Sequence, residues 1–224
     1  MYKLLFMLLI SLPLVADFFP KTTTTTIKAI NKQIEVSKPL KKGMSCIIIH
    51  NYGNNIKAMT HICKVTSHNT IKVIQGNIIQ HQNIPTINTS PKVGDSVKVG
   101  YLYSNLLLIA PDEKTYENIT KKYHKKWLHP DLYAMFLSQE NIDEITKESL
   151  EEFAKRYQVG LIMIVKKREI VLYDPISKNI VAKKPYKAIG NKSKYPFYMH
   201  FKELDTGWFS KKDGDYYQSV ERFK

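Results

Sequence analysis

Two cysteines, seven histidines and 20 carboxylates are the side chains through which this 224-residue chain could do chemistry. Cys46 and Cys63 flank a pattern of apolar runs on either side of Tyr52-Gly53-Asn54-Asn55, which reads as a β-hairpin. With Asn54-Asn55 as a two-residue turn, Cys46 faces Cys63 in a non-hydrogen-bonded pair. Cα atoms there approach to ~4.5 Å and a cross-strand disulfide is feasible. A turn on Gly53-Asn54 instead separates them. His50 and His61 share the face of the cysteines in the first register, but His50 lies ~13 Å from Cys46 at strand rise, too far for one ion. No metal site is expected. The remaining histidines are scattered, and His129 before Pro130 reads as a helix cap or packing residue. The acidic clusters at Asp143-Glu144 and Glu148 to Glu152 suit a helix start that complements the helix dipole, not an acid/base couple. The chain has no phosphate loop, GxSxG elbow, HExxH pair or paired-cysteine zinc spacing. The expectation is therefore a non-enzyme without catalytic residues or cofactors. The carboxyl end differs from the rest: Lys224, the last residue of the sequence, carries an ammonium and a backbone carboxylate at fixed spacing, which an internal lysine does not present.

Elements that would position these residues follow from pattern. Met1 to Ala16 has one cation, Lys3, ahead of an apolar run from Leu4 to Ile10, then Pro13 and Ala16. The apolar stretch is shorter than the ~20 residues a spanning helix needs, so 1–16 reads as a signal peptide. Residues 17–33, with Thr22 to Thr26, read as a Thr-rich connector, or equally as an edge strand. From 34 to 110 the pattern is strand-like, with strands expected at Cys46 to His50, Ala58 to Val65, Thr70 to Ile74, Ser96 to Leu102 and Asn105 to Ile109. From Pro111 the period changes. Tyr116, Ile119 and Tyr123 recur at helical spacing, Pro130 fits a first helical position, and Leu150, Phe153, Ala154 and Tyr157 form a stripe behind a Thr146 cap, with Gly160 as the stop. Leu161 to Val165 and a hairpin of Glu169 to Tyr173 with Asn179 to Lys183 complete the pattern. The fold expected is α+β: a small antiparallel β-barrel or sandwich, then a small α/β layer of three short helices ending in an aromatic and basic segment over 111–224.

The charge narrows the class of partner. Basic residues outnumber acidic ones by 34 to 20, a formal +14, and only Arg156, Arg168 and Arg222 are arginines. A reader of base edges would carry more arginine, so no specific nucleic acid is expected. A lysine field suits an anionic envelope component or an acidic protein partner. Export would place the two cysteines in an oxidising compartment, where a bridge persists.

Several stretches together resemble the N-terminal domain of the bacterial surface plasminogen-binding PgbA family. They are Lys38-Pro39-Leu40-Lys41-Lys42-Gly43 leading to His50, Val93-Gly94-Asp95, Leu107-Leu108-Ile109-Ala110-Pro111, Trp127-Leu128-His129-Pro130-Asp131-Leu132-Tyr133-Ala134 and Val159-Gly160-Leu161-Ile162. The resemblance runs from about Lys38 to the Phe197-Tyr198 region. It implies an exported protein, at the outer membrane, the cell surface or in the periplasm, that captures host plasminogen through lysines without catalysis. Kringle domains accept a lysine zwitterion, which makes Lys224 the favoured ligand. Longer relatives carry a lysine-rich helical extension that this chain lacks, so an envelope module that docks a partner without plasminogen activity is the alternative.

Overall fold

Antiparallel strands make the first layer of the computed structural model, which describes residues 18–76, 78, 89–190, 192–202 and 214–223. Six strands, β1 (Thr23–Ile30), β2 (Ile34–Val36), β3 (Ser45–Gly53), β4 (Ile56–Val65), β5 (Thr70–Gly76) and β6 (Ser96–Val99), pair antiparallel in the order β1-β2-β5-β4-β3-β6. Pairing of β6 with β1, from Thr23 opposite Val99 to Thr26 opposite Ser96, closes the barrel. The threonine tract is thus a barrel strand bonded on both sides rather than a connector. Thr25 and Ile27 point inward while Thr24, Thr26 and Lys28 face solvent. β-Branched threonine suits a pleated surface, but the same side chain on both faces erases the apolar alternation that marks a strand.

The second layer is a mixed sheet of β7 (Asn105–Ile109), β8 (Lys126–Leu128), β9 (Leu161–Val165), β10 (Glu169–Asp174) and β11 (Asn179–Pro185), in the order β11-β10-β9-β7-β8. β7 lies parallel to β8 and β9. It therefore leaves the β-rich region, and the layers divide before Asn105 rather than after Ala110. The expected strand from Ser96 to Leu102 ends at Val99, where Gly100 turns the chain at φ 69°. β7 is buried on both faces, with Leu106 and Leu108 toward the barrel and Leu107 and Ile109 toward the helices. Uniform burial of this kind belongs to a strand covered on both sides.

Four helices lie among the described residues, and three of them follow from local chemistry. In α1 (Glu113–Lys122) the Asp112 carboxylate caps the Thr115 amide at 2.8 Å. α2 (Pro130–Gln139) has proline at its first position, where a missing N–H costs nothing. α3 (Lys147–Tyr157) begins with a capping box of Thr146 and Ser149. It ends at Gln158, which takes the left-handed conformation (φ 56°), and not at Gly160 as its sequence suggests. Gly160 answers a different need, since a Cβ there would sit 2.1 Å from the Leu102 carbonyl oxygen. The helical pattern did not announce α4 (Tyr216–Glu221), a single short stretch. No helix among the described residues is long and apolar enough to cross a membrane.

One buried carboxylate joins the layers. Asp174, at the end of β10, has no exposed surface. Its Oδ2 accepts from the Ser45 amide at 2.7 Å and from the Tyr103 hydroxyl at 2.5 Å. Its Oδ1 accepts from the amides of Ile176 and Ser177, both at 3.0 Å. Burial pushes the Asp174 carboxyl up from its ordinary range, while these donors pull in the other direction. Burial and the neighbouring Asp174 push the Tyr103 phenol well up, so it stays a donor. Replacing Asp174 with Ala strands four donors and is expected to cost ~3 kcal/mol or more. Asp174→Asn fares little better, because its NH2 group must face a donor, whereas Tyr103→Phe removes a single bond and costs about 1 kcal/mol. Urea denaturation of the three variants gives that order.

Candidate functional site

The hairpin that holds the cysteines is set by its turn. Asn54 and Asn55 both take positive φ, 48° and 63°, the pair of conformations of a type I′ turn. Gly53 pairs with Ile56 across it, and two irregularities, at Ile48/Ile49 and Asn51/Gly53, shift and then restore the register. Cys46 consequently stands opposite Cys63 with Cα atoms 4.8 Å apart, and the two form a disulfide inside the barrel. The nearby histidines are satisfied separately. His50 Nδ1 lies 2.6 Å from Asp95 Oδ1, and His61 Nδ1 lies 2.9 Å from Thr60 Oγ1. Burial lowers the pKa of His61 against the pull of Asp95. Against the outer side of this hairpin lies an apolar cleft of about 280 Å³, lined by Ile47, Met59, Ile62, Leu102, Val159 and Ile176.

Lysines divide into those already engaged and those facing solvent. Lys184 Nζ sits 4.3 Å from the ring centre of Phe18 and 4.4 Å from that of Tyr123, whose hydroxyl it also contacts, and Lys125 Nζ sits 4.2 Å from that of Phe19. Burial and the neighbouring Lys122 charge lower the pKa of Lys184. Lys166 is buried between Glu169 and Glu221, and Lys178 bridges Glu148 and Glu151. The barrel is different. Residues 18–110 hold eleven lysines and two carboxylates, Glu35 and Asp95. Asp95 is buried against His50, so Glu35 is nearly alone in opposing the field. Exposed Lys38, Lys41 and Lys42 crowd the loop between β2 and β3.

Lys224, the favoured ligand, lies outside the described residues, as does the leader 1–16. What precedes Lys224 is firmly held: Tyr216, Val220 and Phe223 have no exposed surface, and the Tyr216 hydroxyl donates within reach of the carbonyls of Val165 (2.7 Å) and Ile109 (3.0 Å). Phe197, Tyr216 and Phe223 of the terminal segment pack into the helix-side core, whereas Phe201 is exposed. Trp208 and Phe209 fall outside the described residues.

The structure brings together one constellation that spacing did not reveal. His129 caps α2, its Nδ1 accepting from the Asp131 amide at 3.2 Å. Asp131 also meets His200, which donates its backbone amide to Oδ1 at 2.8 Å and places Nδ1 2.9 Å from Oδ2. The two imidazoles stack with centroids 4.6 Å apart. Burial lowers the His129 pKa and opposes ionisation of Asp131, but the hydrogen bonds from His200 and the two imidazoles hold the Asp131 carboxyl below its usual range. The capping role of His129 was readable from His129-Pro130; its meeting with His200 was not, because 70 residues intervene and neither belongs to a spaced ligand pair.

Two outcomes are expected of the hairpin. Removing the disulfide by Cys46→Ala with Cys63→Ala frees a 17-residue separation and lowers unfolding free energy by about 3 kcal/mol. His61 stays neutral in the fold to a lower pH than in the unfolded chain. As pH falls below the ordinary histidine value the unfolded state takes up a proton that the fold refuses, and stability declines until the lowered pKa is passed. Chemical denaturation at a series of pH values shows a flatter profile in His61→Gln.

Neither the curated proteins nor the solved structures include a match to this chain. The family model described as plasminogen-binding protein pgbA N-terminal matches residues 21–221, from the first barrel strand to the end of α4. On that coverage the chain belongs to the pgbA N-terminal family of plasminogen-binding proteins.

Proposed function

We propose that this chain is an exported, non-enzymatic binder that captures host plasminogen by presenting lysines to its kringle domains, with Lys224 as the principal ligand. The observation that carries the reading is the family match over residues 21–221. Three features support it. The leader 1–16 has the charge and length of a signal peptide. The two cysteines are bridged, as suits an oxidising compartment. Tyr216, Val220 and Phe223 are buried, so the segment directly before the proposed ligand in the sequence is fixed by packing.

A lysine ligand must offer its ammonium to a partner, so the lysines engaged by rings or carboxylates are poorer candidates than those of the barrel. Internal ligands, if they contribute, belong to the acid-poor face that carries Lys38, Lys41 and Lys42. The charge of this region supports the second reading, docking to an anionic envelope component, since eleven lysines against two carboxylates over residues 18–110 form a field of one sign.

Plasminogen binding to the immobilised chain at physiological salt separates these readings. Capture is expected to be displaced by aminocaproate and to fall several-fold in Lys224→Ala. Full binding by that variant with displacement retained transfers the role to the barrel lysines. Indifference to aminocaproate refutes lysine capture, and affinity for anionic lipid or glycan that collapses with added salt supports the docking reading.

A further inference from the structure

We propose that His129, Asp131 and His200 form a binding site for a divalent transition-metal ion of the zinc type, which would staple the terminal return of the chain to the start of α2. Two nitrogens and one carboxylate are a ligand set that Zn2+ accepts, with a fourth position left for water or a partner's side chain. One candidate ligand atom from each residue lies within 4.8 Å of the others.

Edge lengths give the site its second support. His129 Nδ1 carries no hydrogen of its own, since it accepts from the Asp131 amide, and its single lone pair would leave that amide to reach an ion. The same nitrogen lies 3.3 Å from Asp131 Oδ2. Bonds of about 2.0–2.1 Å to a tetrahedral ion place ligand atoms roughly 3.3 Å apart, which matches this edge. The edge from His200 Nδ1 to the same oxygen is 2.9 Å. There the proton of a hydrogen bond occupies the place that the ion would take. His200 is the most exposed of the three, so its ring is the one able to turn to complete the set.

The outer shell fits as well. A histidine bound through Nδ1 must direct its Nε2 proton to an acceptor. His200 Nε2 lies 3.2 Å from the Tyr198 hydroxyl, which in turn reaches Glu113 Oε1 at 3.5 Å. Asp131 Oδ1 is held by the His200 amide, which leaves Oδ2 for both rings. The Lys194 ammonium is turned to the carbonyls of Met199 and Phe201 and does not fill the position. The α2 dipole disfavours a cation at its N-terminus, but only weakly beside three ligands.

Titration of Zn2+ into the purified chain by calorimetry, with Co2+ in parallel for its visible absorption, tests the site. One ion per chain is expected, with tetrahedral Co2+ bands and a raised Tm. Asp131→Asn and His200→Ala should each weaken binding at least ~10-fold and abolish the bands, while His124→Ala leaves both unchanged. His200→Ala removes an exposed ring, so loss of binding in that variant with an unaltered circular dichroism spectrum is not a folding defect. No stoichiometric binding at micromolar Zn2+, or equal binding by the parent and both site variants, overturns the proposal. Plasminogen capture is not part of the readout, so this outcome is independent of the function proposed above.

Discussion

The buried carboxylate of Asp174 is the constraint on which the relation of the two layers rests. An ionised carboxylate taken out of water costs several kcal/mol unless its lone pairs are filled. Here they are filled from three places at once: the first residue of β3, the turn at Tyr103 and the turn after β10. Ser177, which donates its amide to this carboxylate, sends its hydroxyl to the Gly43 carbonyl at 2.5 Å, so the same corner also fixes the loop entering β3. Gly43 sits at φ 90° beside Asn179, a conformation that glycine takes without strain. The start of β3 is therefore fixed from outside the barrel, while the Asn54-Asn55 turn sets the register that puts Cys46 opposite Cys63.

Much of this architecture was legible because its signals are local. Asn54-Asn55 marks a turn by the tolerance of asparagine for positive φ, Pro130 and Thr146 mark helix starts by their backbone chemistry, and the alternation from Ser96 marks a strand. The missed features share a different cause. The threonine strand lacks contrast between its faces, β7 is apolar on both and so gives no sign of which sheet it joins, and α4 is too short for a helical period to show. The stop of α3 fell to Gln158 because Gly160 was needed where the backbone at Leu102 comes close. The Asp174 corner and the meeting of His129 with His200 are properties of the tertiary fold alone, since each joins residues scores of positions apart.

The sheet separates two cores by the simple alternation of β7 and β9. Leu106, Leu108, Leu161 and Met163 face the barrel, while Leu107, Ile109, Ile162 and Ile164 face the helices. The helix-side core is finished by side chains that arrive last in the sequence, Phe197, Met199, Tyr216, Val220 and Phe223. These side chains are thereby committed to packing, which makes the described residues 214–223 part of the folded body.

Charge placement then decides what the rest of the surface can offer. In the helical layer most carboxylates are matched to cations: Glu151 to Lys155 and Lys178, Glu140 and Glu152 to Arg156, Glu144 to Arg222. Exposed pairs of this kind contribute little to stability, yet each one occupies an ammonium or guanidinium that a partner would have to recruit. The barrel has almost no carboxylates to spend in this way, and the one most central, Asp95, is turned inward to His50 and the Lys92 amide. Most of its lysines are exposed, while Lys98 lies against the Tyr101 ring; at physiological ionic strength their field reaches about 8 Å before salt screens it. Long-range attraction is thus weak, and selectivity has to come from contact: a trough shaped for a single lysine, or an anion dense enough to engage several at once. Those two demands differ in geometry, which is why salt and a lysine analogue, and not affinity alone, tell them apart.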